Sequence, residues 1–306
     1  MTASRSKTRP SDVSGETPLR DNGREPSSDL GETLSPPSIE TLADRARAIR
    51  REILQMIIAA GSGHPGGSFS MVELLLVLYD SFLRHRTPED PDWEDRDRFI
   101  LSKGHGAPAL YAILAEFGYV SKDELGDLRK LGSRLQGHPD KRFLPILETS
   151  TGSLGQGLSF GAGTALAARI DKKPYRTYVL IGDGESEEGQ IWEAAMFAAH
   201  HKLDNLTAIL DVNRIQLDGF TRDIVDLEPL TEKWSSFGWF VQDIDGHDLR
   251  QVYDAFAACA SHRGQPGVII ARTVKGKGAS EMENNPAFHG RAPNPEEAAR
   301  AFADLA

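Results

Sequence analysis

The sequence predicts a parallel, doubly wound α/β sheet, and two observations carry that prediction. Five short apolar segments, at 98–101, 177–182, 206–212, 239–244 and 267–273, are separated by stretches of helical periodicity. The segments are apolar runs more than alternations, the pattern of strands covered by helices on both faces. In such sheets ligands bind beyond the carboxyl ends of the strands. The unusual residues of this chain stand there.

Residues 1–37 are rich in Ser, Pro, Arg and acids and nearly devoid of large apolar side chains. They cannot bury enough surface to offset the entropy of ordering, so a disordered tail is expected, with one folded domain over 38–306. The tail lacks the apolar core of a secretory signal, and its acids argue against a mitochondrial presequence. From Ser38, which reads as an N-cap, Leu42, Ala46, Ile49, Ile53, Ile57 and Ala60 recur at helical spacing. The longest apolar run, "LLLVLY" at Leu74 to Tyr79, is far too short to span a bilayer and reads as the core face of a helix.

The 306 residues, 39% hydrophobic and 26% charged, suit a globular protein with a substantial core. A net charge of -10 argues against nucleic acid and anionic membrane as partners. The single cysteine, Cys259, reads as a small buried apolar residue and cannot form an internal disulfide, so a cytoplasmic protein is expected. The "NLT" at Asn205 matches a glycosylation acceptor but carries no meaning at a cytoplasmic strand entry.

The stretch "YVLIGDGESEEGQIWEAA" runs a strand into Asp183, held between Gly182 and Gly184, and then adds three glutamates. The glycines permit a tight turn and close approach, and the helix that follows from about Gln190 offers free N–H groups. Thirty residues beyond Asp183, "LDVNRIQLDG" places Asn213 at another strand end. Neighbouring strand ends lie close together, so the Asp183 carboxylate, the Asn213 amide carbonyl and a backbone carbonyl near Ile215 could share one hard cation. With the helix N-terminus this describes a magnesium-diphosphate site. On the residues alone, Asp183 and Asn213 also read as turn caps.

Four further segments are glycine-rich: "GSGHPGGSFS" (61–70), "LSKGHGAPALYA" (101–112), "LGSRLQGHPD" (131–140) and "TSTGSLGQGLS" (149–159). Each alone reads as a turn, three of them with a histidine beside glycine. In this order, followed by the GDG-to-Asn pair and "TVKGKGASEMENNPAFHG" (273–290), they resemble the N-terminal, diphosphate-binding domain of transketolase, a thiamine diphosphate (TPP) enzyme.

The resemblance implies roles position by position. Asp183, Asn213 and the Ile215 carbonyl match the ligands of magnesium or calcium, and Gly182 and Gly184 the diphosphate turn. His64, His105, His138 and His289 match histidines around the reactive carbon of the cofactor and the substrate hydroxyls, with His105 also touching the cofactor. His64 and His289 would move hydroxyl protons near neutral pH; His105 and His138 would bind donor hydroxyls. Gly152, Leu154 and Gly155 match a loop along the cofactor. Glu188, counted with the cofactor site, and Glu193 match acids that network across the interface between two chains, while Glu185 and Glu187 are expected to be solvated.

In the family, the glutamate that activates the cofactor and the phosphate-binding arginines come from domains that should follow this one. The chain stops at Ala306. The expectation is therefore one subunit of a split transketolase, paired as α2β2 with a chain carrying the pyrimidine and C-terminal domains, and acting on sugars or sugar phosphates. The alternatives are an α subunit of a 2-oxo acid dehydrogenase, a deoxyxylulose-phosphate synthase and a non-catalytic scaffold subunit.

Overall fold

The computed structural model describes residues 36–86, 90, 93–217 and 219–306. The expected disordered tail thus lies outside the described residues, apart from its last two. Five strands, β1 (Arg98–Leu101), β2 (Thr177–Gly182), β3 (Leu206–Val212), β6 (Phe240–Asp245) and β7 (Gly267–Arg272), form one sheet in the order β1-β2-β3-β7-β6. Every pairing in it is parallel. Between β3 and β6 lies a small antiparallel ladder, β4 (Ile215–Gln216) with β5 (Gly219–Phe220). Three of the five expected segments match their strands end to end; the fourth is displaced by one residue and the fifth ends one residue early.

The helices are α1 (Pro36–Ala60), α2 (Pro65–Phe69), α3 (Val72–Val77), α4 (Ala107–Glu116), α5 (Gln156–Ile170), α6 (Gly189–His200), α7 (Thr221–Ile224), α8 (Leu230–Ser236), α9 (Leu249–Ser261) and α10 (Pro295–Asp304). Because α1 begins at Pro36, Ser38 lies inside its first turn and is not the N-cap; proline is tolerated there, where the missing N–H has no helical partner.

The apolar runs divide strictly between two cores. Tyr178, Leu180, Ile209, Ile269 and Ala271 enter the core built with α1, α3, α4 and α9. Their neighbours Val179, Ile181, Ala208, Leu210, Val268 and Ile270 enter the core built with α5, α6 and α8. Edge strand β6 is only partly covered, which its polar Gln242, Asp243 and Asp245 reflect. Helix α5 lies so close to the sheet that a Cβ on Gly161 would stand 2.3 Å from Val179, so only glycine fits. Cys259 is buried on α9, its thiol pushed up to about 12 by burial. Among the described residues, no helix is long and apolar enough to cross a membrane.

Candidate active site

The carboxyl ends of β1, β2, β3 and β7 converge on one polar region. Register sets Gly182 opposite Asp211 and Val212 opposite Arg272, so the residues just beyond these strands meet. At its base is Asp211, fully buried, whose carboxylate accepts hydrogen bonds from Ser70 Oγ (2.6 Å), Asn213 Nδ2 (3.1 Å), Thr273 Oγ1 and Lys103 Nζ. Lys103, 1% exposed, also donates to the Gly67 carbonyl at 2.9 Å. These partners hold Asp211 below the usual carboxylate range against the opposing effect of burial.

Asp183 stands just beyond β2. Its carboxylate accepts from the backbone N–H groups of Gly184 (2.8 Å) and Arg214. Burial and the nearby Asp211 charge push its pKa up to about 7. The Lys275 charge opposes this shift without cancelling it. The Asn213 amide, turned by its donation to Asp211, presents Oδ1 toward the Ile215 N–H at 3.2 Å. Asp183, Asn213 and Ile215 are therefore brought together, as expected, and their oxygens are the hard donors a divalent cation takes. The Ile215 carbonyl accepts from Lys275 Nζ at 2.8 Å, which leaves one of its lone pairs. No three His, Cys, Asp or Glu converge as a metal set among the described residues, so a cation here would complete its shell from ligand or water oxygens.

The four histidines, spread over more than two hundred residues of chain, form one cluster. The His64 ring lies 5.2 Å from His105, 5.5 Å from His289 and 6.4 Å from His138 between centroids, and His105 lies 5.4 Å from His289. Burial, then the charges of Arg129, His138 and Lys275, pull His64 down to about 4. Burial and Lys275 pull His289 to about 3, burial and Lys103 hold His105 well below its ordinary value, and burial and Arg129 lower His138. All four shifts favour the neutral form of the rings. Lys275, itself drawn down to about 8 by burial, contacts His289 Nδ1 at 2.7 Å.

The loop of Gly152, Leu154 and Gly155 runs from the His138 ring, against which Gly152 packs, into α5. Gly155 has φ 82° and a Cβ there would meet Glu188 Cβ at 2.8 Å, so both backbone and space demand glycine. Leu154 is half-buried. Glu188 and Glu193 are exposed, beside exposed Met196 and Phe197 on α6 and Phe160 on the adjoining α5.

One glutamate contradicts its expectation. Glu185 is buried, and its carboxylate accepts from Ser102 Oγ, the Gly155 N–H (2.9 Å) and the Gly182 N–H (3.0 Å). It ties three loops together, because a carboxylate can accept several donors at once where water is excluded. Glu187 is partly buried and accepts from Gln216 Nε2. Sequence reasoning also passed over Lys103, Asp211 and Lys275. The signals were present: a charge inside the apolar run "LTAILDV", and lysines beside glycines in "SKGHG" and "VKGKG".

A parallel sheet with a carboxylate, an amide, a glycine turn and a histidine cluster at its carboxyl edge defines a cofactor-dependent enzyme of the diphosphate-binding class. The family model described as "Transketolase, thiamine diphosphate binding domain" matches residues 41–304. The chain is 47% identical, over 81% of its length and 90% of the relative's, to the 6-deoxy-6-sulfo-D-fructose transketolase subunit SqwG of Clostridium sp. (strain MSTE9). It is 43% identical, over 88% of its length and 97% of the relative's, to an apulose-4-phosphate transketolase subunit of Actinobacillus succinogenes. The crystal structure of transketolase from Campylobacter jejuni superposes with a TM-score of 0.82 at 33% identity, covering 87% of this chain and 43% of that one. The chain belongs to the transketolase family of transferases and carries its thiamine diphosphate-binding domain.

Proposed function

We propose that this chain is the diphosphate-binding subunit of a two-chain transketolase, transferring a two-carbon ketol unit from a ketose to an aldose. The observation that carries this reading is the four-histidine cluster set beside Asp183, Asn213 and Ile215. The three oxygens would hold magnesium or calcium, and the glycine turn at 182–184 would face a diphosphate. Bound there, thiamine diphosphate supplies the electron sink for carbon–carbon cleavage. The histidines bind and orient the donor and acceptor hydroxyls, and the buried walls exclude water.

Two relatives matched over most of their lengths are named as subunits, which supports a partner chain here. We assign that partner the pyrimidine and C-terminal domains and the pair an α2β2 arrangement about a two-fold axis. The exposed face of Glu188, Glu193, Met196, Phe197 and Phe160 mixes apolar and acidic groups as an interface would. Those relatives are named for a sulfonated and a phosphorylated sugar, which supports an anionic ketose as the substrate class; we place the reaction in the cytoplasm.

The test is to assay the purified chain with TPP, magnesium, xylulose 5-phosphate and ribose 5-phosphate, alone and with the candidate partner. Transfer is expected only in the mixture. Robust activity of the chain alone would refute the two-chain reading.

A further inference from the structure

The side chain of Arg129 reaches the edge of the histidine cluster. Among the described residues it makes no ion pair: Nη1 contacts Ser62 Oγ at 3.3 Å, Nη2 contacts His64 Nδ1 at 3.5 Å, and Nε is buried without a partner. Its backbone is held at φ 62°, uncommon for a residue with a side chain, by donation of its N–H to the Leu135 carbonyl at 2.9 Å. A guanidinium has five donors and no acceptor and does not lose its proton. Whatever nitrogen faces it must therefore offer a lone pair.

We propose that Arg129 is a positioning residue that fixes His64 as the neutral imidazole with its one proton on Nε2. The two ring nitrogens lie on opposite sides, so Nε2 points away from Arg129 and has no hydrogen-bond partner among the described residues. It passes 3.4 Å from where a Cβ on Gly290 would stand, on the side of the cluster that holds His289. Among the described residues the charged and titratable groups facing His64 are Arg129, Lys275, His138, His105 and His289, with no carboxylate to favour the imidazolium. His64 then acts on a substrate oxygen as a neutral hydrogen-bond donor, an electrophile in place of a proton shuttle.

The identity of that oxygen rests on the transketolase reading; the tautomer does not. The experiment is two-bond proton–nitrogen NMR of the full chain with isotope-labelled histidine, His64 being assigned by its loss in His64→Gln. We expect an unprotonated Nδ1 and a protonated Nε2, unchanged between about pH 6 and about pH 8. Arg129→Met should release the tautomer and let the ring gain a proton somewhat more readily, burial and Lys275 still opposing the charge, whereas Arg129→Lys, keeping a cationic donor, should preserve the wild-type behaviour. In the assembled enzyme Arg129→Met should lower kcat about 10-fold with little change in KM, the signature of a contact that strengthens in the transition state. A protonated Nδ1 in the wild type, or an unchanged tautomer in Arg129→Met, would overturn the proposal. A correct tautomer in a chain that never transfers ketol units would leave it standing and sink the functional reading instead.

Discussion

Two polar regions, one buried and one partly exposed, sit at the same edge of the sheet and differ in how their charge is balanced. Around Asp211 and Glu185 each carboxylate is met by several donors, and Lys103 has a carboxylate and a carbonyl. Around His64 and His289 the charged neighbours are the cations Arg129, Lys275 and Lys103, and no carboxylate is among the groups that shift either ring. The first region is complete within the chain and holds loops in place. In the second, burial and the Asp211 charge raise Asp183 although Lys275 lies near enough to oppose them. Internal charge balance and burial thus both separate scaffold from site.

The comparison is sharpest where one partner of the balanced region is removed. Lys103→Met should destabilise the chain by about 3–5 kcal/mol, since it strands a buried carboxylate. Urea unfolding measures this, and a loss within about 0.5 kcal/mol, ordinary for surface changes, would show that Asp211 is balanced without it.

In the incomplete region the effect should fall on ligand and spare the fold. Asp183→Ala should weaken magnesium-dependent TPP binding by about 100-fold or more, given that even outer-shell losses reach that size. The metal-free chain should lose little stability, since removing a carboxyl that burial disfavours in its charged form offsets the loss of its bonds from the Gly184 and Arg214 N–H groups. Titration calorimetry with the partner present decides it: wild-type affinity would refute the metal-ligand assignment.

The smallest effect is on pH dependence without cofactor. The histidines bind protons less readily folded than unfolded, so between their ordinary value of 6.5 and about 4 for His64, or about 3 for His289, the unfolded chain holds more protons. Their contribution to stability is therefore lost as pH falls through that window. Asp183, raised to about 7, acts in the opposite sense, losing stability as pH rises from 3.8 to about 7. The difference between wild type and His289→Gln isolates the imidazole: the variant should lose less stability on acidification, and equal slopes in urea midpoints against pH would contradict the neutral-ring assignment.

Much of the architecture was legible in the chain because local pattern and burial agree. Apolar runs of four to seven residues marked the five strands of the main sheet to within a residue at nearly every end, and the period of Leu42 to Ile57 marked α1. Its start was misplaced because Ser38 offers a cap signal and two prolines that suit a first turn precede it. The candidate ligands and histidines were legible too, since glycine-flanked polar residues after strands announce close backbone approach.

What the sequence by itself determined is therefore the set of strands, their coverage on both faces, and which side chains stand at their ends, all of which follow from spacing along one dimension. The tertiary structure decided the rest. It set β7 between β3 and β6, which brings Lys275 to Ile215 and His289. It buried Glu185 among three loops while leaving Glu188 exposed, although the two are three residues apart and chemically alike. And it pressed Arg129 and two lysines toward four imidazoles, setting their protonation. The physical reason is that desolvation and Coulomb interactions depend on distances in space, which residues far apart in the chain acquire only when the sheet is assembled.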